Sequence, residues 1–210
     1  MLGGTFDPPH IGHLIVAREA QWQLGLDEVR LVPARHPPHK DHSRVAPAER
    51  RAEWLERAVA DKPGLTVSRI ELGRGGPSYT ADTLRAMAAA EPGVELWFIL
   101  GADQLAGFPT WMEPEAILEL ARLAVVGRGE TGDDLLAELA DSVAPGRCDL
   151  LEVPLIGVSS SMIRKRMEKG EPIGHLVPPE VEAALQREGL VPSTPVSPPS
   201  RKDTSRPRSS

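Results

Sequence analysis

With 210 residues, 40% of them hydrophobic, the chain is long enough to bury a full core and reads as one compact domain. Its formal charge is −6, and the last twenty residues carry a local +3, so residues 1–190 hold −9, a balance that argues against nonspecific nucleic-acid binding. No apolar run approaches the roughly 20 residues that span a bilayer and no leader-like segment opens the chain, so a soluble cytoplasmic protein is expected, with its one cysteine, Cys148, structural or incidental.

The chain begins with Met1 and Leu2 and then runs GGTFDPPHIGHL over residues 3–14. A first strand would leave at Gly3 and Gly4, and from Gly12 a helix begins with Leu14, Ala17, Ala20 and Leu24 at helical spacing. Only Met1 and Leu2 stand before the double glycine, so this first strand would be truncated. Further strands are predicted at 29–33 (VRLVP), 65–71 (LTVSRIE), 94–100 (VELWFIL), 122–127 (RLAVVG) and 150–154 (LLEVP). Between them, Ala48, Ala52, Leu55 and Val59 mark a helix behind Pro47, and others are predicted near 80–90, 132–143, 160–169 and 179–188. Alternation of this kind implies an α/β fold: a single Rossmann-like domain over 1–190 with a doubly wound parallel sheet and ligands beyond the carboxyl ends of its strands. Residues 191–210, rich in Pro and Ser and basic, read as a disordered tail, a docking arm being the alternative.

The opening motif is where chemistry concentrates. His10 and His13 flank the start of the first helix, where residues three apart share a face about 4.5 Å apart along the axis, so both imidazoles can meet one anion. Free amides and the helix dipole favour a phosphate there, and Gly3 and Gly4 allow a nucleotide close to the backbone. The alternative is a pair of surface histidines beside a glycine turn. A second anion site is predicted at SSSMIRKR, where Ser159, Ser160 and Ser161 cap a helix and Arg164 follows one turn later; Lys165 and Arg166 read as solvated, and Gly170 ends the helix. In RHPPHKDH, His36, His39 and His42 recur every three residues, but Pro37 and Pro38 forbid a regular helix, so a zinc site is not favoured.

The HIGH tetrapeptide at 10–13 matches the signature of the nucleotidylyltransferase superfamily, and GGTFDPPHIGHL resembles the bacterial nicotinate-mononucleotide adenylyltransferases. The likeness extends to about residue 190 through PPHK (37–40), GGPSYTADTL (75–84), FILGADQL (98–105), FPTW (108–111) and VSSSMIR (158–164), with Ser161 where the family usually has threonine. It implies transfer of AMP from ATP to nicotinate mononucleotide, giving nicotinate adenine dinucleotide and pyrophosphate, with Mg²⁺ carried by the ATP phosphates and no metal ligand from the protein. His10, His13, Arg164 and Lys40 would serve catalysis, with Gly3, Gly4, Thr5, Phe6, Gly101, Asp103 and Ser159 to Ser161 completing the ATP site. Lys40, Tyr79, Thr80, Trp111 and Met112 would receive nicotinate mononucleotide: Trp111 as an aromatic platform for the cationic ring, and the backbone amides around Thr80 and Met112 for the carboxylate. Core packing is the alternative for Trp111, an unpaired surface carboxylate for Asp103 and a surface cation for Arg35; Trp22, Trp54 and Trp97 are assigned to packing, and the role of His39 stays open. An aminoacyl-tRNA synthetase, which shares the HIGH signature, is disfavoured by the short chain and by SSSMIRKR standing where a lysine-rich second signature would be. A pantetheine-phosphate adenylyltransferase and a non-catalytic nucleotide sensor remain as rivals, and oligomeric state, a homo-oligomer included, is left open.

Overall fold

The computed structural model describes residues 1–36, 45–127, 133–154 and 156–192. Six parallel strands form one sheet: β1 (Leu2–Gly4), β2 (Val29–Pro33), β3 (Leu65–Val67), β4 (Trp97–Gly101), β5 (Arg122–Val126) and β6 (Cys148–Leu151). Their order is β3-β2-β1-β4-β5-β6, so the chain winds outward from β1 in both directions and the winding reverses between β1 and β4. In open α/β sheets that reversal opens a crevice at the carboxyl ends of the two strands; here those ends are Gly3-Gly4 and Gly101. β1 has three residues, registering Leu2 against Leu31 on one side and Ile99 on the other.

The pleat sorts the strand side chains between two layers. Phe98, Leu100, Leu123 and Val125 face one core with Ala81 and Leu84 of α3 (Thr80–Ala90), Leu105 of α4 (Ala102–Gly107), Ile117 of α5 (Pro114–Leu120) and Leu136 of α6 (Asp133–Val143). Ile99 and Ala124 face the other, with Ala17 and Ala20 of α1 (Ile11–Gln23) and Leu55 of α2 (Ala48–Val59). A third cluster joins Trp54 of α2 to Ile163 of α7 (Ser160–Glu168) and to Val181 and Leu185 of α8 (Pro179–Arg187). Through it the carboxyl-terminal helices, far along the chain, reach the side of the sheet that carries the opening motif.

Several strand bounds differ from expectation, each for a local reason. β3 stops at Val67 because Arg69 turns out to Glu49 and Glu56, and the chain closes a turn with Leu72 N donating to Arg69 O at 2.9 Å. β4 begins at Trp97 because Gly93, at φ 88°, sits in a turn that Val94 N closes on Glu91 O. β6 starts at Cys148 and includes Asp149, whose carboxylate pairs with Arg122 at 2.8 Å and accepts from the Trp97 indole at 2.9 Å, an arrangement open to an edge strand. α4, a 3₁₀ turn at Phe108–Thr110 and α5 were not anticipated. Among the described residues no helix is long and apolar enough to cross a membrane. The expectations for His39, Lys40 and His42 and for the tail beyond residue 192 lie outside the described residues.

Candidate active site

The site begins where β1 ends. A Cβ on Gly4 would lie 2.9 Å from the Phe6 ring, so only glycine lets that ring fold back over the strand exit. Phe6 itself is buried at a left-handed φ of 51°, a conformation that costs a non-glycine residue of order 1 kcal/mol and persists only where the surroundings impose it. The turn delivers the chain through buried Asp7 to His10, which caps α1 in extended conformation.

His10 and His13 meet more closely than helical spacing alone requires. Their rings stack with centroids 3.6 Å apart and 26° between planes, and the edge of Phe6 supports His13 at 4.8 Å. The His10 amide donates to His13 Nδ1 at 3.1 Å, so the neutral His13 ring carries its proton on Nε2 and offers it as a donor. Burial pushes His10 down from 6.5 to about 4, which keeps it neutral near pH 7, and its Nδ1 has no hydrogen-bond partner within the protein. A Cβ on residue 12 would come within 3.1 Å of the His10 ring, closer than an ordinary contact, so glycine in the HIGH sequence gives its first histidine room. The helix end is less open than the sequence suggests, because Ile11 N already donates to Leu176 O at 3.0 Å.

α7 docks on this turn. Ser159 Oγ accepts from Met162 N at 3.2 Å as the helix cap, while Ser160 Oγ donates to Pro8 O at 3.0 Å. Arg164 donates to Asp7 O at 2.7 Å and to Ser161 Oγ at 3.3 Å, with Asp7 Oδ2 3.6 Å away. The two separately predicted anion motifs are therefore one assembly, and all three serines already take part in hydrogen bonds within it.

Beyond β4, Gly101 N donates to Gln104 Oε1 at 3.0 Å and Asp103 sits exposed in the first turn of α4. Trp111 is half-buried, packed edge-on to Phe98 at 5.8 Å and tilted on Phe108 at 5.5 Å, against the same cluster that holds Ala81 and Leu84 of α3. Next to it Met112 is exposed. Tyr79 caps α3 and Thr80 opens it, and the loop before them is tied to the exit of β2 by Ser78 Oγ, which accepts from the amides of Arg35 at 3.1 Å and His36 at 3.3 Å. Arg35, weighed as a surface cation, donates to Leu72 O at 2.7 Å. Trp54 is buried as expected, whereas Trp22 is 81% exposed and does not pack.

Three charged residues escaped the sequence reading: Arg51, Asp7 and Glu71, all buried. Arg51 lies on the same face of α2 as Trp54, Leu55 and Ala58, and that position, on an apolar stripe, was its available signal. A cavity of about 540 Å³ opens at the opposite end of the sheet, between the starts of β1, β2 and β4, and holds none of the site residues.

The cytidylyltransferase-like family model matches residues 1–166. A curated relative from a Nocardioides species, named "Probable nicotinate-nucleotide adenylyltransferase", is 42% identical over 205 residues, 97% of this chain and 98% of its own. A relative of the same name from Thermus thermophilus is 45% identical over 190 residues, covering 90% and 97% of the two chains. Among solved structures, the nicotinic acid mononucleotide adenylyltransferase of Plasmodium falciparum, complexed with NaAD, shares the fold with a TM-score of 0.71 at 19% identity, over 90% of this chain and 94% of that one. A HIGH motif at the switch point of a six-stranded parallel sheet, and relatives of this similarity along nearly the whole length, lead to one assignment: the chain belongs to the cytidylyltransferase-like family, in its nicotinate-nucleotide adenylyltransferase branch.

Proposed function

We propose that the protein transfers AMP from ATP to nicotinate mononucleotide, releasing pyrophosphate, at the crevice between β1 and β4. The observation that carries this is the junction of the His10–His13 stack with α7, which gathers two imidazoles and a guanidinium from positions more than 150 residues apart around one turn of chain. An oxygen of the acceptor's phosphate attacks the α-phosphorus of ATP. A new P–O–P bridge forms as the bond to the β-phosphate oxygen breaks, and the electron pair leaves with pyrophosphate. The attacking oxygen is already ionised, so no base is required and catalysis consists of alignment and charge neutralisation.

In this reading His10 and His13 act as neutral donors to the phosphates, and Arg164 supplies the full positive charge that the departing pyrophosphate needs. Gly3, Gly4, Thr5, Phe6, Gly101 and Asp103 border the adenylate, with Ser159, Ser160 and Ser161 at the phosphate end. Tyr79, Thr80, Trp111, Met112 and Lys40 receive the acceptor. Magnesium is assigned to the MgATP substrate, carried by its phosphates. The partners are these two nucleotides, without nucleic acid or membrane, in the cytoplasm.

The test is pyrophosphate release with MgATP and, in separate reactions, nicotinate mononucleotide, nicotinamide mononucleotide and phosphopantetheine. Turnover highest with the nicotinate nucleotide is expected. A preference for phosphopantetheine transfers the enzyme to another substrate, and no turnover with any acceptor reduces it to a nucleotide sensor.

A further inference from the structure

Arg51 is 1% exposed, and among the described residues its guanidinium donates to three main-chain oxygens. Nε donates to Ala46 O at 2.9 Å, one Nη to Thr5 O at 2.5 Å and the other to Ala34 O at 2.6 Å. Those three carbonyls belong to three different segments: the opening motif just before Phe6, the exit of β2, and the approach to α2. Burial works against the guanidinium charge, and Asp7 and Glu71 support it; each of these buried carboxylates keeps one oxygen without a protein hydrogen bond. A buried arginine is costly, and here it is surrounded by acceptors in three segments, which the planar fork reaches together because its donors sit on three separate nitrogens, whereas a lysine carries all of its donors on one.

The carbonyl of Thr5 is the critical acceptor. It immediately precedes the left-handed Phe6, and the orientation of that peptide sets where the Phe6 ring lands, hence the ring edge that supports His13. Fixing Thr5 O therefore propagates within a few residues to the stacked imidazoles, without Arg51 touching either nucleotide. We propose that Arg51 is a positioning residue for adenylyl transfer, its guanidinium holding the carbonyls of Thr5, Ala34 and Ala46 so that the Phe6 turn places His10 and His13 for the triphosphate. This rests on the function proposed above for the same site.

The experiment compares Arg51→Lys, whose single ammonium cannot span the three carbonyls, with Leu185→Ala, a cavity variant of α8 in the α2–α8 packing. Both are assayed well below their unfolding midpoints. Arg51→Lys is expected to lose about tenfold to a hundredfold in kcat, the scale of an ångström of misplacement, with KM for MgATP changed less than about threefold. Leu185→Ala should retain kcat within about twofold however much its midpoint falls. Guanidinium added to Arg51→Ala should restore kcat, and the same concentration of ammonium should not. Independently of turnover, the side-chain ¹⁵N shifts of His13 at alkaline pH report whether Nδ1 is still the unprotonated acceptor. The wild type should show the single tautomer and Arg51→Lys a mixture. Equal kcat losses in Arg51→Lys and Leu185→Ala, an unchanged His13 tautomer, or failure of both Arg51 variants to unfold cooperatively each overturns the inference, the last because Arg51 would then serve the fold itself. An inactive wild type sinks the proposed reaction while leaving the tautomer comparison to decide the placement.

Discussion

His10 loses proton affinity to its burial. A histidine that titrates at about 4 rather than 6.5 is neutral throughout the physiological range, so in the proposed reaction it would meet a phosphate as a hydrogen-bond donor without competing with it for a proton. The same burial links the residue to stability. Between pH 6.5 and about 4 the unfolded chain binds more protons at this position than the folded one, so stability falls as pH falls through that window, by up to about 3 kcal/mol. Urea unfolding from pH 7 to pH 4 should show this loss in the wild type and a shallower one in His10→Asn; parallel curves would mean His10 is not desolvated. The two histidines were legible in the sequence because a HIGH tetrapeptide among glycines and prolines has few structural uses. Arg51 was not, since one more arginine in a helix rich in Arg and Glu looks solvated until the carbonyls around it are known.

At the scale of elements, α7 is tied to the opening turn by a hydroxyl, Ser160 Oγ, as well as by the Arg164 guanidinium. Ser160 is the first residue of α7, and its bond to Pro8 O fixes the helix against the turn that leads to His10. Replacing it with alanine leaves a buried carbonyl unpaired, which costs about 1–2 kcal/mol. Because Arg164 rides on the same helix, Ser160→Ala should also raise KM for MgATP severalfold. Denaturant unfolding together with steady-state pyrophosphate release checks both, and a stability loss with unchanged KM would detach the docking of α7 from nucleotide binding. Long amphipathic helices such as α2 and α3 were readable to within a residue or two from periodicity. α4 and α5 were not, because helices of 6 and 7 residues complete fewer than two turns and leave no period to detect. The edge strand β6 was shifted for a different reason: its Asp149 reads as a loop residue until Arg122 and Trp97 pair with it.

For the whole molecule, the parallel doubly wound architecture followed from alternating elements, whereas the central place of β1, which the sheet order bears out, was implied by the family resemblance, since three residues carry no pattern of their own. That short central strand has a measurable consequence. The Met1 amine is buried at its start, donating to Trp97 O at 2.6 Å, beside the 540 Å³ cavity that separates the beginnings of β2 and β4. Burial, with Arg30 nearby, lowers this amine from 8.0 to about 5. The unfolded chain therefore binds more protons than the folded one between pH 8 and pH 5, and stability drops as pH is lowered through that interval, by up to about 4 kcal/mol. Lengthening β1 by about eight residues with strand-forming side chains would replace the amine by a peptide N–H, pair the open edges of β2 and β4, and fill apolar surface at the sheet's centre. The lengthened chain should melt at a higher temperature than the one starting at Met1, and the gap should widen from pH 8 to pH 5 because only the shorter chain carries the buried amine. Equal melting temperatures would show that the sheet gains nothing from a longer β1. A gap that does not change with pH would leave strand pairing as its cause and exclude the amine.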